Sequence, residues 1–402
     1  MEKYSDLITF IRQLYRTPTA HLPLHAPTFE QRDKDYVMDA IDSTFVSSVG
    51  EYVNRFEQDL AAFTGAARAV ATVNGTCALQ TALKLVGVES NDEVITQPLT
   101  FVATANAIAH LGAAPVFVDV DKDTMGLSPD ALETWLKENT EVKAKAKVKT
   151  KNSQPQPYPQ PQYQPVFNKH TGRRIAAILP MHTFGHPCRI EQIVAIAKAW
   201  SIPVVEDAAE AIGSWSRQTH CGLFGDLGIL SFNGNKTITC GGGGAILTRD
   251  NTLAARAKHL TTTAKIPHPW EFDHDEIGYN YRLPNLNAAL ACAQLERLPD
   301  ILKQKREIAR AYQAFFAFRD WGQFMAEPHD TQSNYWLCTI ALADRAARDA
   351  LLEATNNAGV MTRPAWNLMP DLAMYAACVS GSLDNARWLQ DRIINLPSSV
   401  RS

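Results

Sequence analysis

Between about residues 53 and 260, stretches of helical period alternate with short apolar runs. Val53, Phe56, Leu60 and Phe63 recur at helical spacing and predict a helix over 53–63. The run 69–73 (Ala-Val-Ala-Thr-Val) predicts a buried strand, which Asn74-Gly75-Thr76 turns into a helix over 77–86. The series continues with strands at 93–96, 115–120, 175–180, 203–206, 227–232 and 244–248, and a helix over 102–110. Apolar strands separated by helical segments predict a mostly parallel α/β sheet with both faces covered. Ligands of such sheets sit beyond the strand C-termini. Asn74-Gly75-Thr76, Thr100-Phe101, Met181-His182, Asp207 and Ser231 all fall at or just past predicted strand ends, which brings them toward one crevice.

Beyond about residue 265 the alternation weakens. Long helices are predicted over 284–298 and 301–316, a strand over 335–342, and a helix over 346–358 that Gly359 ends. The pattern therefore divides into an N-terminal helix (1–21), a large α/β domain (22–265) and a smaller α+β domain (266–402). One segment fits neither domain. Residues 143–151 are basic and 154–165 are a Gln/Pro/Tyr run, so 143–167 reads as an insertion unable to build a core. It is either a tolerated loop excursion or a proline-motif ligand for a partner.

Composition narrows the function classes. With 402 residues, 46% of them hydrophobic, the chain can fill two cores. A net charge of −3 gives no general affinity for nucleic acid or membrane surfaces. The first 16 residues have helical apolar spacing without the uninterrupted core of a signal peptide, and no apolar stretch is long enough to span a membrane. Seven scattered cysteines, with no Cys-x-x-Cys pair, suggest free thiols in a reducing, cytoplasmic compartment.

The chemistry centres on Lys236, in the small-residue turn Ser231-Phe-Asn-Gly-Asn-Lys-Thr, with four glycines (241–244) following. Upstream, Val204-Val-Glu-Asp-Ala-Ala-Glu210 reads as a buried strand ending in acids. A strand-end carboxylate and a turn lysine form the layout a pyridoxal phosphate enzyme needs. The amine joins the cofactor aldehyde, and Asp207 keeps the pyridine nitrogen protonated so that the ring withdraws electrons. An arginine partner for Asp207 is the structural alternative. Gly75-Thr76, opening a helix after a strand, is either a phosphate site or an ordinary helix cap. Ser231 adds a hydroxyl to the same phosphate. Phe101 either stacks on a flat ring or belongs to the core. His182, His186 and Cys188 have metal-like spacing, but the intervening Phe, Gly and Pro read as a turn and no fourth ligand cluster follows, so no metal is expected. His182 is then a pocket residue. The glycine run lets the backbone pass close to the lysine turn.

Five motifs together resemble the DegT/DnrJ/StrS sugar aminotransferases. They are Asn74-Gly-Thr-Cys-Ala-Leu79, Thr100-Phe-Val-Ala-Thr104, Glu206-Asp-Ala-Ala-Glu210, Ser231-Phe232 with Lys236, and Gly278-Tyr-Asn-Tyr-Arg-Leu-Pro284. The resemblance runs from about residue 22 to 400, apart from the Gln/Pro segment. It implies a pyridoxal phosphate-dependent transferase of fold type I, resembling aspartate aminotransferase and working as a homodimer. By this resemblance Lys236 holds the cofactor and shuttles the proton, and Asp207 pairs with the pyridine nitrogen. Ala209 and Phe101 enclose the ring, while Gly75, Thr76 and Ser231 take the phosphate. Asn280 reaches the phosphate of the neighbouring subunit's cofactor, so the site is shared. Glu210, standing where glutamine is common, faces the phenolic oxygen.

Finer wording, such as Pro23-Leu-His-Ala-Pro, Asp42-Ser-Thr-Phe-Val-Ser-Ser-Val-Gly50 and Pro267-His-Pro-Trp-Glu-Phe272, resembles the aminotransferases of the legionaminic acid pathway. That resemblance places Ser48, Gly50 and Trp270 near a nucleotide-linked 4-keto-6-deoxy-N-acetylhexosamine, with Trp270 alternatively in an interface. The expected reaction is a ping-pong transamination with glutamate as amino donor. The rivals are a sugar dehydratase of the same fold, in which histidine replaces the lysine, and a non-catalytic scaffold.

Overall fold

A computed structural model describes residues 2–142 and 165–401. The first sheet is laid down by the predicted apolar runs. Strands Glu93–Thr96, Ala114–Phe117 and Arg174–Leu179 pair in parallel, as do Val205–Asp207 and Leu227–Ser231. Parallel bridges from Ile178 to Val204 and from Met181 to Asp207 join the two groups into one continuous surface. Gly244–Thr248 runs antiparallel between Leu227–Ser231 and Arg68–Thr72. Helices cover both faces, so strand residues are buried on both sides and read as unbroken apolar runs rather than alternating ones.

Helix Gly75–Leu85 packs on this sheet through Ala78, Leu79, Ala82 and Leu83, in one cluster with Val205, Leu227, Ile229 and Ile246. On the other face, Phe56 and Leu60 of helix Glu51–Thr64 meet Leu230, Phe232 and Leu247. Ala288, Ala291 and Cys292 of helix Asn285–Glu296 enter the same cluster, so this helix packs on the first sheet although it follows residue 265.

A second, antiparallel sheet orders Gly322–Phe324, Cys338–Leu342, Ile393–Leu396 and Arg363–Pro364. The long helix Leu298–Phe316 and the helix Glu2–Leu14 share a core with it: Leu7 and Ile11 meet Ile308, Tyr312, Ile340 and Leu351. The strand predicted over 335–342 starts only at Cys338, because Tyr335 adopts a positive φ of 47° and the chain bends at the cavity described below.

The Gln/Pro run, apart from its last residue Pro165, falls within 143–164 and lies outside the described residues. Its flanks are ordered, since Thr140–Val142 pairs antiparallel with Val166–Asn168, and Val166 and Phe167, taken above as the end of the insertion, belong to that ladder. No helix among the described residues is long and apolar enough to cross a membrane.

Candidate active site

Two strand ends and one turn converge. Strand Val205–Asp207 carries Asp207 to the edge of a crevice, and the chain continues through Ala209 to Glu210. Asp207 is buried. Its Oδ2 accepts a hydrogen bond from Thr104 Oγ1 at 2.7 Å and its Oδ1 accepts from the Ala209 N–H at 3.1 Å. Burial raises its pKa, and those two donors oppose the shift. Among the described residues no arginine supplies the alternative partner considered above; the hydrogen-bond donors to the carboxylate are a hydroxyl and a backbone amide.

Lys236 sits in a turn closed by Lys236 N–H to Asn233 O at 3.0 Å and Cys240 N–H to Phe232 O at 3.1 Å. Its Nζ lies 3.1 Å from Glu210 Oε1, with the two side chains 11% and 1% exposed. The same nitrogen stands 4.2 Å from the centroid of the Trp336 ring. Burial lifts the Glu210 carboxyl to about 7, against the pull of Lys236 and of the Phe184 N–H that bonds its other oxygen at 2.9 Å. Asn334 ties the acid and lysine segments together through one amide nitrogen, 2.8 Å from Glu210 O, 2.9 Å from Ile212 O and 3.2 Å from Thr237 Oγ1.

The helix start at Gly75 lies against Ser231. A Cβ built on Gly75 would stand 3.0 Å from Ser231 Cβ and 3.3 Å from its Oγ. Asn74 caps the helix, accepting from Cys77 N–H at 2.8 Å, so the first amides of the helix are left for an anion together with the Thr76 and Ser231 hydroxyls. The glycine run acts at two places. A Cβ on Gly243 would press on Cys240 Sγ at 2.5 Å, within the lysine loop. A Cβ on Gly244 would strike Asn74 C at 2.5 Å and Gly75 N at 2.7 Å. The tightest backbone approach is therefore to the helix start rather than to the lysine turn.

Phe101 stands at the entry of helix Val102–Ala109, 48% exposed, with its ring 6.2 Å from that of Trp366. Trp366 and Phe184 are 4.9 Å apart. A cavity of about 610 Å³ opens beside these rings, lined also by His25, Asn235, Trp336 and Arg363. Ala209 is half-buried next to Asp207.

The remaining sequence candidates lie elsewhere. His182 is fully buried. Its Nε2 is 3.0 Å from Glu206 Oε2 and its Nδ1 accepts from Cys188 N–H at 3.2 Å. Both ring nitrogens are thus occupied, and the ring braces Glu206 beneath the strand instead of lining the cavity. Glu206 in turn accepts from the Gly222, Phe224 and Gly225 amides. His186 packs edge-on against Tyr335, and burial lowers its pKa to about 4. Ser48 and Gly50 line a separate cavity of about 200 Å³ with Lys258, Thr262 and Arg282. Asn280 is exposed on the neighbouring loop, its Oδ1 accepting from Arg282 Nε at 3.0 Å. Trp270 is 75% exposed and meets only His268 edge-on, at 4.9 Å, among the described ring contacts.

Sequence reasoning missed Trp336, Trp366, Phe184 and Asn334 as site residues. They come from distant segments, and nothing in their local pattern distinguishes them from core positions. Thr104 was within reach, since it lies one helical turn after Thr100 and its hydroxyl is 2.6 Å from that of Thr100.

The DegT/DnrJ/EryC1/StrS aminotransferase family model matches residues 27–401. The chain belongs to this family. It is 35% identical over 380 residues to the GDP-perosamine synthase of Escherichia coli O157:H7, covering 94% of this chain and 93% of that one. A GDP-perosamine synthase of Caulobacter vibrioides is 31% identical, over 93% and 92% of the two chains. Among solved structures, the aminotransferase TlmJ from Streptoalloteichus hindustanus superposes with a TM-score of 0.80 at 26% identity, over 94% of each chain. The protein is accordingly a sugar aminotransferase of fold type I that depends on pyridoxal phosphate.

The residues present suit that cofactor. A buried acid whose hydrogen-bond donors among the described residues are a hydroxyl and a backbone amide, a lysine amine within reach of a second acid, and an anion cradle that a Cβ at Gly75 or Gly244 would fill lie on adjoining strand ends.

Proposed function

We propose that this family member transfers an amino group from glutamate to a nucleotide-linked 4-keto-6-deoxyhexose, as a cytoplasmic homodimer. The observation that carries the reading is the buried Lys236–Glu210 pair one strand end away from Asp207. When bound, pyridoxal phosphate supplies the electron-withdrawing ring that lets a proton leave the carbon next to nitrogen.

The chain does the rest. Asp207 holds a proton on the pyridine nitrogen. Its burial makes an uncompensated anion costly, so a cationic ring N–H is the partner that offsets the burial. The Gly75 and Thr76 amides with the Ser231 hydroxyl take the phosphate. Phe101 and Ala209 bracket the ring faces. Lys236 would hold the cofactor through Nζ and move a proton at that atom. Glu210 faces the phenolic oxygen and, being near 7, gains or loses its own proton in the working pH range.

Asn280, exposed in this single chain, would meet the phosphate bound by a second subunit. Solvent-facing Met38, Ile41, Phe45, Val46 and Val49 supply apolar surface for that subunit. Seven free, scattered cysteines suit a reducing compartment. Ser48 and Gly50, beside Lys258 and Arg282, are the residues placed to meet an anionic sugar nucleotide.

The sugar is either GDP-linked, as the names of the similar synthases suggest, or an N-acetylated one, as the legionaminic-type motifs suggest. The test loads the full-length protein with cofactor, adds glutamate, and offers GDP- and UDP-linked 4-keto-6-deoxyhexoses with and without N-acetyl groups. Mass spectrometry should find an amino sugar from at least one, and none with Lys236→Ala. Amino sugar formed equally well by Lys236→Ala would overturn the assignment.

A further inference from the structure

Lys305 is a buried charge-bearing group that this chemistry leaves unused. It lies on the inner face of helix Leu298–Phe316 and is fully enclosed. Its Nζ has three partners: Ser398 O at 2.7 Å, Trp336 O at 3.2 Å and His25 Nε2 at 3.0 Å. No carboxylate is among them. An ammonium has three donors and no acceptor, so while Lys305 is protonated these contacts put the lone pair of His25 at Nε2 and its proton at Nδ1. His25 Nδ1 is itself enclosed and makes no hydrogen bond among the described residues, and the ring shares a cavity wall with Asn235.

Those partners lead to the reactive turn by two routes. Trp336, whose carbonyl Lys305 holds, donates from Nε1 to Asn235 O at 2.7 Å and lays its ring 4.2 Å from Lys236 Nζ. His25 and Asn235 line the same cavity wall. Asn235 immediately precedes Lys236. Three separate segments, around His25, Trp336 and Ser398, therefore meet at one nitrogen behind the turn.

We propose that Lys305 is a positioning residue for Lys236: through the carbonyl of Trp336 and the ring of His25, it holds the indole and the Asn235 peptide that orient the reactive amine. The inference rests on the assignment of Lys236 to the cofactor. A buried lysine without a carboxylate is costly to keep for packing alone. Burial draws its ammonium down to about 7, and its three contacts, to Ser398 O, Trp336 O and His25 Nε2, are ones an apolar residue of the same volume cannot make.

The test compares Lys305→Met, His25→Gln and His25→Leu in the full-length, cofactor-loaded protein. Glutamine keeps an acceptor toward Lys305 and a donor toward Asn235; leucine keeps neither. The readouts are the visible circular dichroism of the bound cofactor, the bound stoichiometry, and kcat against KM. Lys305→Met and His25→Leu should retain cofactor, change the sign or at least halve the amplitude of the dichroic band, and lower kcat about 10- to 100-fold with KM within about twofold. His25→Gln should stay close to wild type. If Lys305→Met and His25→Leu alter only the melting temperature, leaving band and kcat unchanged, the positioning role is wrong. An assignment error at Lys236 shows separately, as a Lys236→Ala protein whose cofactor band matches wild type.

Discussion

At the residue scale, Glu210 decides the charge state of the site. Its carboxyl is raised from 4.5 to about 7 by burial. Between those values the unfolded chain ionises while the folded one keeps its proton. The unfolded state then binds fewer protons, and stability falls as pH rises through this window, levelling off above about 7. Glu210→Gln removes the titration. The melting temperature of the cofactor-free variant should gain on wild type from about pH 5 to pH 8, and the wild-type pH–rate profile should show an ionisation near 7 that the variant lacks. A pH-independent difference between the two proteins would show that Glu210 ionises normally.

Lys236 and Glu210 stand out in the sequence because their settings are local: an apolar run ending in acids, and a small-residue turn. Trp336 and Asn334 do not, because what they do depends on the bend at Tyr335 and on packing between distant segments. His182 shows the opposite error. A strand-end position predicts a pocket residue, but Glu206 and the Cys188 amide occupy both ring nitrogens and hold the ring inside.

At the scale of elements, the site depends on how closely the start of helix Gly75–Leu85 lies on strand Gly244–Thr248. The absence of a side chain at Gly244 permits that approach. Gly244→Val places carbon within the Asn74–Gly75 backbone and forces the helix start outward. We expect a stability loss of about 1–3 kcal/mol, as for other overpacked sites, together with at least a tenfold weaker grip on cofactor. Equilibrium dialysis and thermal unfolding read the two effects. Cofactor affinity equal to wild type would mean the cradle lies elsewhere.

The strands themselves were legible because both faces of the central sheet are covered, which makes each strand an unbroken apolar run. The orientation of Gly244–Thr248, antiparallel within a parallel neighbourhood, leaves no trace in that pattern.

At the scale of the whole molecule, the proposed site is shared between two copies. Asn280 is exposed, and apolar side chains around residues 38–49 face solvent in the single chain. If Asn280 completes a neighbour's phosphate site, Asn280→Asp sets a negative charge against that phosphate and should cut activity strongly. Mixing Asn280→Asp with Lys236→Ala under subunit exchange should then recover about a quarter of wild-type activity, because half the dimers are mixed and each carries one intact site. No recovery, with exchange verified by mass, would place each site within one chain. The strands Thr140–Val142 and Val166–Asn168, which flank the Gln/Pro segment in the chain, pair with each other and form the edge of the five-stranded sheet beside Arg174–Leu179.

The central claim is that Lys236 is the amine that holds the cofactor. Borohydride reduction of the loaded protein, followed by peptide mapping, tests it most directly. The account predicts the cofactor's mass on the peptide containing Lys236 and on no other lysine. Attachment at a different lysine, or a loaded protein that takes up no label, would contradict it.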